Sequence, residues 1–289
     1  MLNQDKAPSG ASGIRPWARC DLCPRRCQMA EGRFGICRAR KCENGVAVDA
    51  NYGRITSLCL DPIEKKPLRL FHPGSMILSA GSFGCNLKCP FCQNHEISMA
   101  GSDFPSRTMA PGELVELGLS LKPQGNIGIA FTYNEPLVGY EFVLDTCRLA
   151  KDAGLATVLV TNGTLLEDPL LKLLPYVDAA NVDLKAFNED FYKWIKGKLG
   201  CVKRFIELAA ERIHLEVTTL VIPGRNDSET EMDEEASWLS SLDPEIPLHI
   251  SRFFPRYKCS DMEPTPVETI LRLAEVASRH LNHVFTGNI

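Results

Sequence analysis

The chain has 289 residues, 44% of them hydrophobic, and 32 basic side chains against 36 acidic ones give a net charge of −4. That length carries one sizeable core, or a barrel with a small appended domain, and the near balance of charge leaves no global field to recruit nucleic acid or an anionic membrane. Twelve cysteines in 289 residues stay below the roughly 8–10% of a disulfide scaffold, so clustered cysteines here point to metal rather than to cross-links.

Residues 1–15 are rich in Ser, Gly and Pro and are expected to form a flexible tail. The opening MLNQDKAPSGASGIRPWA lacks the apolar core of a signal peptide, and no run of eighteen apolar residues follows anywhere. A cytoplasmic protein without a membrane span is the expectation. Residues 16–73 read as a small cysteine-rich domain, punctuated by Gly32, Gly35, Gly45 and Gly53, with brief apolar alternation at 46–48 and 55–58. A unit so poor in core needs a staple. Cys20, Cys23, Cys27 and Cys37 place four sulfurs within eighteen residues, enough for a closed zinc site or a second iron-sulfur cluster. Reduced thiols without metal are the plainer alternative.

After Gly74 short apolar runs alternate with helical patterns, the signature of consecutive strand-helix units. Strands are expected at 76–80, 127–132, 156–161, 179–184, 214–222, 248–253 and 284–285, and amphipathic helices at 137–153, 202–211, 229–242 and 267–281. The fold class is therefore α/β, with residues 74–289 forming a complete or partial TIM-like parallel barrel.

Chemistry in such barrels gathers at the carboxyl ends of the strands. The loop after the first strand holds Cys85, Cys89 and Cys92 in C-x3-C-x2-C spacing. Three thiolates leave one position of a four-iron cluster open, whereas an electron carrier usually has four. Two other readings stand beside this one: buried thiols packed as small hydrophobes, and zinc with His95 as a fourth ligand. The second strand runs into Thr132-Tyr133-Asn134-Glu135-Pro136, where Glu135 either accepts from a ligand ammonium or serves as a helix-start residue. The third ends in Thr161-Asn162-Gly163, and the fourth carries Asp183 and Lys185 on one face, as ligand contacts or as a structural ion pair. Turn-forming residues 221–227 close the fifth strand, and His249, Arg252, Arg256 and Tyr257 follow near the sixth without an assigned role. Cys42, Cys59, Cys147, Cys201 and Cys259 lack ligand spacing and read as packing residues.

The stretch CNLKCPFCQN resembles the signature loop of the radical S-adenosylmethionine (SAM) enzymes. The resemblance implies a [4Fe-4S] cluster on Cys85, Cys89 and Cys92 whose open iron binds S-adenosyl-L-methionine. It also implies a low-potential electron donor such as flavodoxin or ferredoxin, and reductive cleavage to a 5′-deoxyadenosyl radical that abstracts hydrogen from a peptide, protein or metabolite. SAM contacts are implied at Asn134, Glu135, Asn162, Asp183 and Lys185. Radical SAM enzymes often have Gly-Gly-Glu-Pro where this chain has Tyr133 and Asn134 ahead of Glu135.

Together CDLCPRRCQMAEGRFGIC, DPIEKKPL, TYNEP, DLKAF, TTLVIPGRNDSE, RFFPRY and FTGNI resemble the radical SAM protein of the AmmeMemoRadiSam system, a group akin to pyruvate formate-lyase activating enzymes. That likeness implies Memo-type and AMMECR-type partners. The alternatives are a glycyl radical enzyme activase and, in a different class, a non-catalytic iron-sulfur or zinc protein.

Overall fold

The computed structural model describes residues 17–289, so the expected tail at 1–15 lies outside the described residues. The described residues start with two small antiparallel hairpins, Trp17–Arg19 with Gln28–Ala30 and Arg40–Glu43 with Val46–Asp49. An open eight-stranded sheet follows. From one edge to the other its strands are Ser57–Pro62, Met76–Gly81, Asn126–Phe131, Ala156–Thr161, Ala179–Asp183, His214–Val221, Leu248–Arg252 and Val284–Gly287. Ser57–Pro62 is antiparallel to its neighbour, and the other pairings are parallel. The two edges do not pair with each other, which makes the architecture a partial barrel with six crossovers. The large sheet thus takes in a strand from the segment that the sequence assigned to the cysteine-rich domain.

Alternation along the strands builds two apolar layers. One face, with Leu78, Ala80, Ile129, Leu159, Val182, Val217 and Ile250, packs against the helices Tyr140–Asp152, Leu199–Ala210, Glu229–Leu242 and Val267–Ala277. The opposite face contributes Ile77, Ala130, Val158 and Ala179, which close on Ile63 and Leu68. The DPIEKKPL segment therefore fills the barrel interior, leaving the carboxyl-end loops to shape the site. It is pinned by polar bonds: Asn181 Nδ2 donates to the Pro67 carbonyl at 2.8 Å, and the Arg69 and Leu70 amides donate to Glu216 at 2.9 and 2.8 Å.

Glu216 is fully buried and also accepts His214 Nε2 at 2.9 Å and His249 Nε2 at 2.6 Å. Burial pushes its carboxyl upward, but these four donors outweigh burial and hold the pKa at about 2. His249, left unassigned by the sequence, is thus a buried partner of this carboxylate. Helices start where the sequence supplies acceptors: Ser228 caps Glu229–Leu242 through the Glu231 amide, and Asn188 caps Glu189–Trp194 through the Phe191 amide. Among the described residues no helix is long and apolar enough to cross a membrane.

Candidate functional site

The cysteine loop leaves the strand Met76–Gly81 at its carboxyl end. Asn134 shapes its start, accepting the Ser82 amide at 3.0 Å and donating to the carbonyls of Gly84 at 3.0 Å and Glu135 at 3.1 Å. Both amide hydrogens of Asn134 are engaged within the chain, and its oxygen, which accepts one amide, keeps a second acceptor site. The far end of the loop is held by the Lys88 amide on the Ile195 carbonyl at 2.9 Å and by the Lys258 amide on the Pro90 carbonyl at 2.8 Å. His95 turns Nδ1 to the Cys92 carbonyl at 3.2 Å and stacks on Tyr257, with ring centroids 4.4 Å apart. Arg252 donates Nε to the Thr265 carbonyl at 2.6 Å and covers the Phe254 ring.

Around the loop stand the other expected residues. Glu135 is 3% exposed and accepts the Leu137 amide at 3.1 Å, the Thr161 hydroxyl at 2.7 Å and the Asn162 amide at 2.8 Å. It does begin a short helix, Pro136–Gly139, and it also ties two strand ends together. Burial raises its pKa to about 7 against the pull of these donors. Three of roughly four acceptor sites on a carboxylate are filled, which leaves one for a ligand donor. Asn162 Nδ2 lies 3.7 Å from Cys85 Sγ and donates to Asn86 Oδ1 at 2.9 Å.

Lys185 Nζ meets Asp183 Oδ2 at 2.8 Å, with both side chains mostly shielded from solvent. Burial alone would lower the lysine, but Asp183 and the neighbouring Cys89 and Cys92 sulfurs raise it further than burial lowers it. Lys185 is set in place from both sides. Its amide donates to the Tyr192 hydroxyl at 3.2 Å, and its carbonyl accepts Asn226 Nδ2 at 2.9 Å. Asn226 comes from the turn at 221–227, whose role the sequence left open.

Burial raises the Cys85 thiol well above its ordinary range and pushes Cys89 up to about 12. Such thiols become ligands when a metal displaces their protons. Asp183 and Glu135 both act on this group of charges, so Cys85, Cys89, Glu135, Asp183 and Lys185 form one electrostatic neighbourhood. The all-sulfur donor set, with the Leu87 amide 3.4 Å from Cys85 Sγ, suits iron-sulfur ligation.

Two features escaped the sequence. Asn86, inside the loop, donates to the Thr164 carbonyl at 3.2 Å and shares the wall of one cavity with Cys23. Tyr133 holds φ at +74° and donates its hydroxyl to Asp61 at 2.7 Å, beside Lys66 Nζ at 2.8 Å from the same carboxylate oxygen. A non-glycine residue at the position of a family glycine was the available signal.

Comparison with known proteins gives the site its context. An uncharacterized protein of Methanocaldococcus jannaschii is 42% identical over 276 residues, 94% of this chain and 81% of that one. The pyruvate formate-lyase-activating enzyme of Clostridium pasteurianum is 29% identical over 167 residues, 55% of this chain and 67% of that enzyme. Streptococcus suis SuiB bound to S-adenosylmethionine shares the fold at a TM-score of 0.57 and 13% identity, over 72% of this chain and 49% of that one. The radical SAM superfamily matches residues 81–236, more than half the chain and the part that holds the cysteine loop, Glu135, Asn162, Asp183 and Lys185, and the chain belongs to that superfamily.

Proposed function

We propose that this enzyme uses a [4Fe-4S] cluster on Cys85, Cys89 and Cys92 to cleave SAM and abstract hydrogen from a peptide, protein or metabolite, within the AmmeMemoRadiSam type. The observation that carries the reading is the placement of the cysteine loop, Glu135 and the Asp183–Lys185 pair at the carboxyl ends of Met76–Gly81, Asn126–Phe131 and Ala179–Asp183 in one parallel sheet. When bound, the cluster and SAM supply a one-electron reduction of the sulfonium that releases methionine and a 5′-deoxyadenosyl radical. The chain's own residues bind and orient. Glu135 offers its remaining acceptor site to the SAM ammonium, Lys185 offers a cation to the SAM carboxylate, and Asp183 fixes that lysine. Asn162 donates toward Cys85 and turns its loop toward the ligand. Leu87 and Phe91, both buried, back the loop with apolar surface and keep water from the reacting centre.

A low-potential donor such as flavodoxin or ferredoxin supplies the electron in this reading, and Memo-type and AMMECR-type proteins are the partners. Cysteine usage supports a reducing, cytoplasmic setting. Cys20, Cys23, Cys27 and Cys37 are read as a second metal site. Anaerobic reconstitution followed by dithionite and SAM is expected to yield 5′-deoxyadenosine, and Cys89→Ala to abolish it. No product from protein with a verified four-iron cluster would overturn the reading.

One observation favours glycyl radical activation as a second reading: relatives at 26% and 29% identity are named as activating enzymes. A persistent glycyl signal in a co-expressed partner, seen by electron paramagnetic resonance, would select it.

A further inference from the structure

The N-terminal cysteines are placed by two turns. Cys20 and Cys27 face each other across a hairpin loop closed by the Cys20 amide on the Cys27 carbonyl at 3.0 Å, and Cys23 sits at its tip, where its carbonyl accepts the Arg26 amide at 3.1 Å. A second turn, with the Arg38 amide on the Gly35 carbonyl at 3.0 Å, presents Cys37. All four cysteines line one cavity.

Three observations bear on what the cavity holds. Four thiols complete a coordination shell without help from His or carboxylate ligands. Zinc would need those sulfurs about 3.8 Å apart, from tetrahedral bonds of about 2.3 Å, yet among the described residues no three His, Cys, Asp or Glu side chains are arranged to hold a metal ion. Cys85, Cys89 and Cys92 are equally unsuited to one ion, and theirs is the loop on which the superfamily builds a four-iron cluster. The third observation is a spare donor. Arg40 lines the same cavity, and while its terminal nitrogens are held by Glu141 and the Ala47 carbonyl, its Nε is buried without a hydrogen-bond partner among the described residues, a donor that suits a sulfur acceptor.

The cavity abuts the SAM loop. The Cys37 carbonyl accepts the Cys85 amide at 3.2 Å. A side-chain path also leads from one cysteine set to the other, from Cys85 Sγ through Asn162 to Asn86, which lines the cavity together with Cys23.

We propose that Cys20, Cys23, Cys27 and Cys37 hold a second [4Fe-4S] cluster, fully ligated by protein and seated against the SAM-binding loop. The proposal rests on the reading of these residues as a metal site and assigns its cofactor. The test uses the full chain carrying Cys85→Ala, Cys89→Ala and Cys92→Ala, reconstituted anaerobically with iron and sulfide. About four iron and four sulfide per chain are expected, with a dithionite-reduced resonance signal that SAM leaves unchanged. Zinc without iron would overturn the cluster assignment while keeping a metal site, and neither metal in a folded chain would overturn both. Should the triple variant not fold, iron is counted in the wild type and in Cys20→Ala/Cys23→Ala. About eight against about four iron is the expected pair, and about four in both would overturn the second cluster.

Discussion

The Glu135 carboxylate accepts the Asn162 backbone amide at 2.8 Å, joining the loop after Asn126–Phe131 to the end of the neighbouring strand. Its two oxygens serve three donors, from Leu137, Thr161 and Asn162. In Glu135→Gln a single amide oxygen replaces both, so one buried donor loses its partner at a cost of about 1–3 kcal/mol. The variant is expected to melt several degrees lower, and its SAM affinity to fall by about tenfold or more. Wild-type SAM binding with a lowered Tm would reduce Glu135 to a brace between strands.

Glu235 gives the fold a pH dependence of its own. The side chain is 1% exposed, and its only partner among the described residues, the Thr219 hydroxyl at 2.5 Å, also lies 2.9 Å from the Leu184 carbonyl. A hydroxyl has one hydrogen, so both contacts are satisfied when protonated Glu235 donates to Thr219 and Thr219 donates to Leu184. Burial raises the carboxyl from 4.5 to about 8 in agreement with that pattern. Between these values the native state holds a proton that the unfolded chain has released, so stability falls as pH rises from 4.5 to about 8 and levels off above. Glu235→Gln keeps a donor toward Thr219 and removes the titration. Thermal melts should show its advantage over wild type growing from pH 5 to pH 8; a gap independent of pH would contradict the assignment.

The parts of this molecule written in local pattern were legible from sequence. The strand Ala156–Thr161 and the helix Glu229–Leu242 coincide with their expected bounds, because a continuous apolar run and a capped 3.6 period mark them. Cys85, Cys89 and Cys92 were visible for the same reason, as spacing within eight residues. Ser57–Pro62 was not seen as part of the large sheet, since its exposure pattern is irregular and its pairing is decided by Met76–Gly81. The helix Pro111–Ser120 was missed because Gly112 and Gly118 dilute its signal. Asn86, Asn226 and the Asp61–Lys66–Tyr133 group act through contacts that join distant segments, which no local window carries.

Tyr133 is held in a left-handed conformation, φ +74°, by contacts to its hydroxyl and to the face of its ring. The hydroxyl bonds Asp61 at 2.7 Å, and Lys66 Nζ stands 4.9 Å from the ring centroid. For a bulky residue that backbone costs on the order of 1–2 kcal/mol, so the side-chain contacts must offset it. Tyr133→Phe removes the hydrogen bond and keeps the strain. Urea unfolding is expected to show a loss of about 1–2 kcal/mol, and a loss near zero would mean that the Asp61 contact contributes nothing to holding the loop.

Gly84 tests the join between the two cysteine sets. Its φ is +94°, and a Cβ there would lie 2.5 Å from the Cys37 carbonyl oxygen, the atom that accepts the Cys85 amide. Backbone cannot yield as a side-chain tip does, so Gly84→Ala must push Cys37 and Cys85 apart. The expected result is folded protein that takes up less iron after anaerobic reconstitution and yields at least tenfold less 5′-deoxyadenosine. Gly112→Ala is the control. It lies in the helix Pro111–Ser120, where a Cβ meets nothing within 4 Å, and it should raise stability by about 0.5–1 kcal/mol without changing iron content. Equal iron loading in the two variants would show that the cysteine loops tolerate separation at Gly84, and the contact between Cys37 and Cys85 would then be incidental to cluster assembly.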